Sequence, residues 1–127
     1  VTLLDNIKSA VEPAVPLGYG IQPTRSGTKP WVVAWPDAGN VYAATMRWTD
    51  GEDLTITFRQ YGLTPESAKV ADRRVKAACF AQLNTAVDGR RVYAVEQLTA
   101  VPLAREDEDD PPVFVYVTEH RFRSTPA

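Results

Sequence analysis

A strand that hands over almost directly to a helix governs what this chain can fold into. Between Asp53 and Gly62 the residues alternate, with Leu54, Ile56 and Phe58 on one side and Thr55, Thr57 and Arg59 on the other. That is the period of a half-buried strand. Only Leu63 separates it from Thr64, Pro65 and Glu66. A threonine hydroxyl accepts an orphan amide at a helix start, proline loses nothing at the first helical position, and the dipole favours a carboxylate there. The spacing then predicts a helix from Pro65 to about Leu83, with Ala68, Ala71, Val75, Ala78, Cys79 and Leu83 on one stripe. Most of these side chains are small, so the helix can lie close against a sheet. Lys69, Arg73 and Lys76 occupy the flank, and Asp72 lies four residues before Lys76, an ion pair worth only ~0.3–0.5 kcal/mol. Phe80 projects into that charged flank. Two readings stand for it: satellite core covered by a loop, or a subunit contact.

The chain of 127 residues suits one domain spanning 1–127, long enough to bury about two thirds of its unfolded surface without staples. Cys79 is the single cysteine and cannot form an internal bridge, which suits assembly in the cytosol. No apolar run reaches membrane-spanning length, and the first residues lack the basic-then-apolar pattern of a leader, so neither membrane insertion nor secretion is expected. Fourteen basic against sixteen acidic residues leave a net charge of −2, giving no general attraction to nucleic acid. Ten prolines fall between the periodic segments, where they set loop geometry.

Thr2 to Asp5 resembles a capping box, and Leu3, Leu4, Ile7, Ala10, Val11 and Ala14 recur at helical spacing until Pro13 and Pro16 stop the helix. From Leu17 to Pro30 glycine, proline, serine and threonine predict loop. Gly18 and Gly20 form no phosphate cradle, because a further glycine and a Lys-Ser/Thr pair are missing. Trp31 to Trp35 reads as a short strand with both tryptophans on one face, ended by a turn from Pro36 to Asn40. The rings are read as anchors of a core edge; an aromatic binding platform that adds Trp48 is the alternative. Val41 to Trp48 reads as a strand turning through Asp50 and Gly51 into the Leu54 strand, a hairpin. After the long helix, Asp88 and Gly89 mark a turn. Val92 to Val95 and Leu98 to Leu103 read as one strand interrupted near Glu96 and Gln97. Glu106, Asp107, Glu108, Asp109 and Asp110 form an acidic run before Pro111 and Pro112, read as a solvated loop. Val113 to Val117 is apolar on both faces, as in a central strand covered on two sides, and Ser124 to Ala127 is expected to fray. The fold class is therefore α+β, with a mixed, mainly antiparallel sheet of about four to five strands and two helices packed on it.

Chemistry is poorly provided for. Nucleophilic catalysis needs a base, and His120 is the only histidine. Cys79 and His120 make a conceivable dyad, but a cysteine on a small-residue stripe reads as a packed thiol. Zinc needs more Cys and His than the chain has, and the acidic run lacks the spacing that aims several oxygens at one ion. Arg73 and Arg74 diverge by about 100° on a helix, so they make a poor phosphate patch, and Arg90 and Arg91 read as solvated flanks. No catalytic, cofactor or metal residues are assigned, and an enzyme is not expected.

The order of these segments resembles the tail terminator proteins of long-tailed, siphovirus-type actinobacteriophages along nearly the whole chain. The most telling pieces are Trp35-Pro36-Asp37, Tyr61 to Glu66, Val70 to Val75 and Pro111 to Phe114. The resemblance implies a small α+β subunit that caps a completed tail tube as a ring, expected to be a hexamer, ends tube polymerisation and offers the surface for head joining. Implied partners are copies of itself, the tail tube protein and a head-completion or connector protein. Genomic DNA would pass through the lumen without specific binding, and the implied location is the virion neck, after assembly in the host cytoplasm. On this view the run Glu106 to Asp110 faces the lumen, where negative charge keeps DNA from sticking. A head-completion or connector protein is the neighbouring alternative, and a small aromatic-platform module the alternative from another class.

Overall fold

The computed structural model describes residues 3–12, 14–20, 29–37, 40–42, 51–87, 89–106 and 112–126, with the backbone alone at 40–42. Among the described residues two helices, α1 (Leu3–Val11) and α2 (Pro65–Phe80), accompany seven strands: β1 (Leu17–Tyr19), β2 (Trp31–Pro36), β3 (Asn40–Tyr42), β4 (Gly51–Gly62), β5 (Ala86–Val87), β6 (Arg90–Glu106) and β7 (Val113–Pro126). They form one sheet in the order β1-β2-β4-β7-β6-β5, with β3 pairing β4 off this path. Among the described residues only β1 and β2 run parallel; every other pair is antiparallel. The α+β class stands, with more strands than the four to five expected.

The junction after β4 forms as its residues dictate. The Ser67 amide donates to the Thr64 hydroxyl at 3.1 Å, and Pro65 occupies the first turn. Gly62 lets the helix start this close: a Cβ there would lie 2.3 Å from the Ala68 nitrogen and 2.7 Å from the Ser67 Cβ. α2 then buries Ala68, Ala71, Val75, Ala78 and Cys79 against the sheet. It stops at Phe80 rather than Leu83, with Ala81 as its C-cap, and Leu83 is exposed. Asn84 follows with φ 67, a left-handed conformation asparagine tolerates better than most residues.

The sheet buries both faces, unequally. Toward the helices, Ile56, Phe58, Phe122, Val32, Ala34 and Val92 join Ile7, Val11, Ala71, Val75 and Cys79 in the main core. On the opposite face Trp31, Val33, Tyr61, Val113 and Val115 form a smaller core. Trp31 and Tyr61, partners across β2 and β4, stack with centroids 5.3 Å apart and planes 6° from parallel. Beside them the second face is charged. Arg121 reaches Glu96 at 2.7 Å and Arg123 reaches Asp53 at 3.2 Å, while Arg59 pairs with Glu106, so these ion pairs lace β4, β7 and β6 together.

Several expectations change. Leu17 to Tyr19, read as loop, is a strand; Tyr19 donates to Asp5 Oδ1 at 3.2 Å and so ties β1 to α1. Ala10, placed on the apolar stripe of α1, is exposed, while Ile7 and Val11 carry the burial. Ser124 to Pro126 do not fray, because β7 pairs there with Arg90, Arg91 and Val92. The expected hairpin is seen in part: β3 pairs with Gly51 to Asp53, and residues 43–50, with Met46 and Trp48, lie outside the described residues. β6 is one strand, longer than read and without the interruption expected near Glu96 and Gln97; register shifts at Val92/Ala94, Gln97/Thr99 and Val101/Ala104 account for its blurred alternation. β7 is central, flanked by β4 and β6.

Candidate functional site

The chemically capable side chains are used for packing. Cys79 is fully buried on the inner stripe of α2, and burial pushes its thiol well above the ordinary range. His120 is also fully buried, on β7 opposite Ile56 of β4 and Gln97 of β6. Its ring meets Phe58 edge-on at 5.8 Å and Phe80 at 6.1 Å, and among the described residues neither ring nitrogen has a hydrogen-bond partner. Desolvation lowers its pKa from the ordinary 6.5 to about 4; nearby Asp72 works against that shift and Lys76 with it. A neutral imidazole without hydrogen bonds is placed to fill space. Nearby, Gln60 and Thr118 share a buried 2.9 Å hydrogen bond that joins β4 to β7. Among the described residues no group of three or more His, Cys, Asp or Glu side chains is arranged to hold a metal ion.

The residues singled out from sequence separate in space and in role. Phe80 is 46% exposed at the end of α2, and its ring covers His120; the loop that would bury it is not seen among the described residues. Glu106 does not belong to a solvated loop. It is the last residue of β6, opposite Val113 and ion-paired with Arg59. Asp107, Glu108, Asp109 and Asp110 lie outside the described residues. Trp31 is buried, as a core anchor should be, but Trp35 is 40% exposed, and the two do not make a common exposed platform. Asp37 continues the sheet past Pro36, its amide donating to the Thr55 carbonyl at 2.9 Å and its carboxylate accepting from the Thr55 amide at 3.1 Å. Arg73 and Arg74 are exposed. Arg90 and Arg91 are not free flanks: Arg90 donates to Ser124 and pairs with Glu52, and Arg91 donates to the Asn84 carbonyl.

Two surface features were missed in sequence. One is an apolar cavity of about 480 Å³ whose lining includes Leu3, Leu4, Leu54 and Phe122, with Glu52 and Arg90 among its polar walls. The other is the outer edge of β6. β5 pairs it at Arg90 and Arg91, and Val92 exchanges backbone hydrogen bonds with Asn84 and Thr85; beyond them Tyr93, Leu98 and Val101 are more than 40% exposed. An uncharged run from Gln97 to Ala104 was the available signal. What this arrangement offers is surface.

No protein-family model matches the chain, and no curated protein matches it. Among solved structures, it is similar to a chain of the virion of a native gene transfer agent (GTA) particle, with a TM-score of 0.59 and 14% sequence identity. The likeness covers 98% of this chain and 92% of that one. At this identity it is a likeness of fold, and it runs end to end.

Proposed function

We propose that this chain is a structural subunit of a phage-like virion, and within it a terminator that closes the tail tube as a ring, ends tube growth and presents the surface for head joining. The observation that carries this reading is the end-to-end fold likeness to a chain of a gene transfer agent virion. The resemblance of the Trp35-Pro36-Asp37 and Tyr61 to Glu66 segments to tail terminators narrows it. Such a role needs surfaces and no reactive centre, and the packed Cys79 and His120 accord with that. The proposed ring is a hexamer in the virion neck, assembled in the host cytoplasm. Its partners are the tube protein and a connector, and the genome passes through without specific binding. We propose no enzymatic activity.

The test is to mix purified protein with isolated tail tubes and image the tube ends by electron microscopy, with mass photometry on the free protein. Rings on tube ends support the reading, and persistent monomers without tube binding reject it. Retention on isolated heads instead of isolated tails selects the connector alternative.

A further inference from the structure

We infer that the outward face of α2 is where one copy of this chain receives the acidic run, Glu106 to Asp110, of the next; the inference rests on the ring reading and gives it a contact. Lys69, Val70, Arg73, Arg74, Ala77 and Phe80 are all exposed. At ~100° per residue they share an arc of about 140°. The cations on this face have nothing of their own chain to neutralise them. Six of the eight described arginines have partners within the chain: Arg59, Arg90, Arg121 and Arg123 pair with carboxylates, Arg91 donates to the Asn84 carbonyl, and Arg105 has a contact of its own. Arg73 and Arg74 have none among the described residues, nor has Lys69 one turn before them. Asp72, their neighbour in sequence, is buried and held by Lys76 at 3.0 Å.

The opposite charge stands elsewhere. Of fourteen basic and sixteen acidic residues α2 carries four and two, which leaves ten against fourteen on the rest of the chain, and five of those fourteen carboxylates are consecutive from Glu106 to Asp110. Cations spread over so wide an arc do not converge on one phosphate, and three are too few to hold a duplex against the surplus of acid around them. They suit an extended acidic segment. Lys69 to Phe80 rises ~16 Å along the helix, and five extended residues span ~17 Å. Val70 and Phe80, 44% and 46% exposed, add apolar contact between the charges. The segment comes from another copy. Glu106 and Val113 are paired strand ends, so the chain between them projects no more than ~12 Å, and it does so at the end of the sheet where Gly62 meets Phe114 and α2 begins. α2 runs back from that end to set Phe80 against His120, and its own thickness of ~10 Å parts its outward face from the sheet. Arg73 and Arg74 lie beyond the reach of their own run. Exposed ion pairs are individually weak, but in a closed ring every copy makes the contact twice, once giving its run and once receiving its neighbour's. The run then lies between copies and does not line the lumen.

The experiment uses two charge-reversed proteins, an α2 variant (Lys69→Glu/Arg73→Glu/Arg74→Glu) and a run variant (Glu108→Lys/Asp109→Lys/Asp110→Lys), each alone and in equimolar mixture. Mass photometry across concentration, with and without tail tubes, reads assembly, and native mass spectrometry reads which variants share a ring. Thermal melts confirm folding, and glutamine at the same three α2 positions replaces glutamate if that variant fails to fold. We expect each variant alone to need at least about tenfold more protein than wild type, the summed effect of three exposed ion pairs. The mixture should assemble like wild type in rings that hold both, because each reversed face meets a reversed run. Either variant assembling like wild type overturns the contact and leaves the ring reading intact. So does a mixture that stays as impaired as its parts, which places the run on its own chain or the face on some other partner. A mixed-sequence DNA duplex bound by wild type and lost by an α2 variant that still assembles gives the face to nucleic acid and overturns the contact as well. Wild type that never leaves the monomer, with or without tubes, overturns the ring reading too.

Discussion

Acid should weaken this fold through one side chain. His120 is neutral and fully buried, with its pKa lowered from 6.5 to about 4. The charged groups facing it are Asp72 and Lys76 of α2, themselves an ion pair at 3.0 Å. Between these two pKa values the unfolded chain takes up a proton that the folded chain refuses, so stability falls as pH drops below 6.5 and the loss levels off below about 4. Each tenfold difference in proton affinity between the two states is worth about 1.36 kcal/mol, so the loss at pH 5 relative to pH 8 is about 2 kcal/mol. Urea unfolding at pH 8, 6.5 and 5 measures it, and a His120→Leu variant supplies the comparison, since it keeps the contacts with Phe58 and Phe80 apolar and cannot titrate. The wild-type curve should fall relative to the variant by about that amount between pH 8 and pH 5. Parallel curves would show that the imidazole is hydrated or hydrogen-bonded in solution, and the packing role assigned to it would be wrong.

Other consequences are local. Gly62→Ala puts a methyl group 2.3 Å from the Ala68 nitrogen and forces the start of α2 to move. The expected cost is about 3 kcal/mol, or about 11 °C in Tm for a chain of this length; a shift below about 2 °C contradicts it. Thr64→Ala removes the acceptor for the Ser67 amide and should cost about 1 kcal/mol in urea unfolding, with Thr64→Ser close to wild type. Cys79, buried with its thiol pushed up, should react with a disulfide reagent only after denaturation, and rapid labelling of the native protein would show that α2 opens.

The parts of the fold legible in sequence are those whose local chemistry and tertiary packing agree. The β4 to α2 junction is marked by Thr64 and Pro65, and the alternation of Ile56 and Phe58 names the face that meets the helices. The run from Val113 to Val117, apolar on both faces, marked β7 as central: Val113 and Val115 are buried on one face, and Phe114 and Tyr116 are half-buried on the other. What was hidden depends on partners distant in the chain. Leu17 to Tyr19 has turn composition, yet Val32, Val33 and Ala34 pull it into a parallel pairing. Ser124 to Pro126 carry no pattern and are held by β6. Trp35 shares a face with Trp31, but only Trp31 has Tyr61 to stack on. The surface along β6 was the least legible part: within the strand only the uncharged run from Gln97 to Ala104 points to it, and which segments lie beside β6 depends on residues distant in the chain.

The central claim is that this polypeptide works by occupying a fixed place in a particle. Electron microscopy of intact particles decorated with antibody fragments against it tests that most directly. The account predicts a single band of label at the junction of head and tail. Label distributed along the tail or over the capsid, or none on particles whose assembly requires the protein, would contradict it.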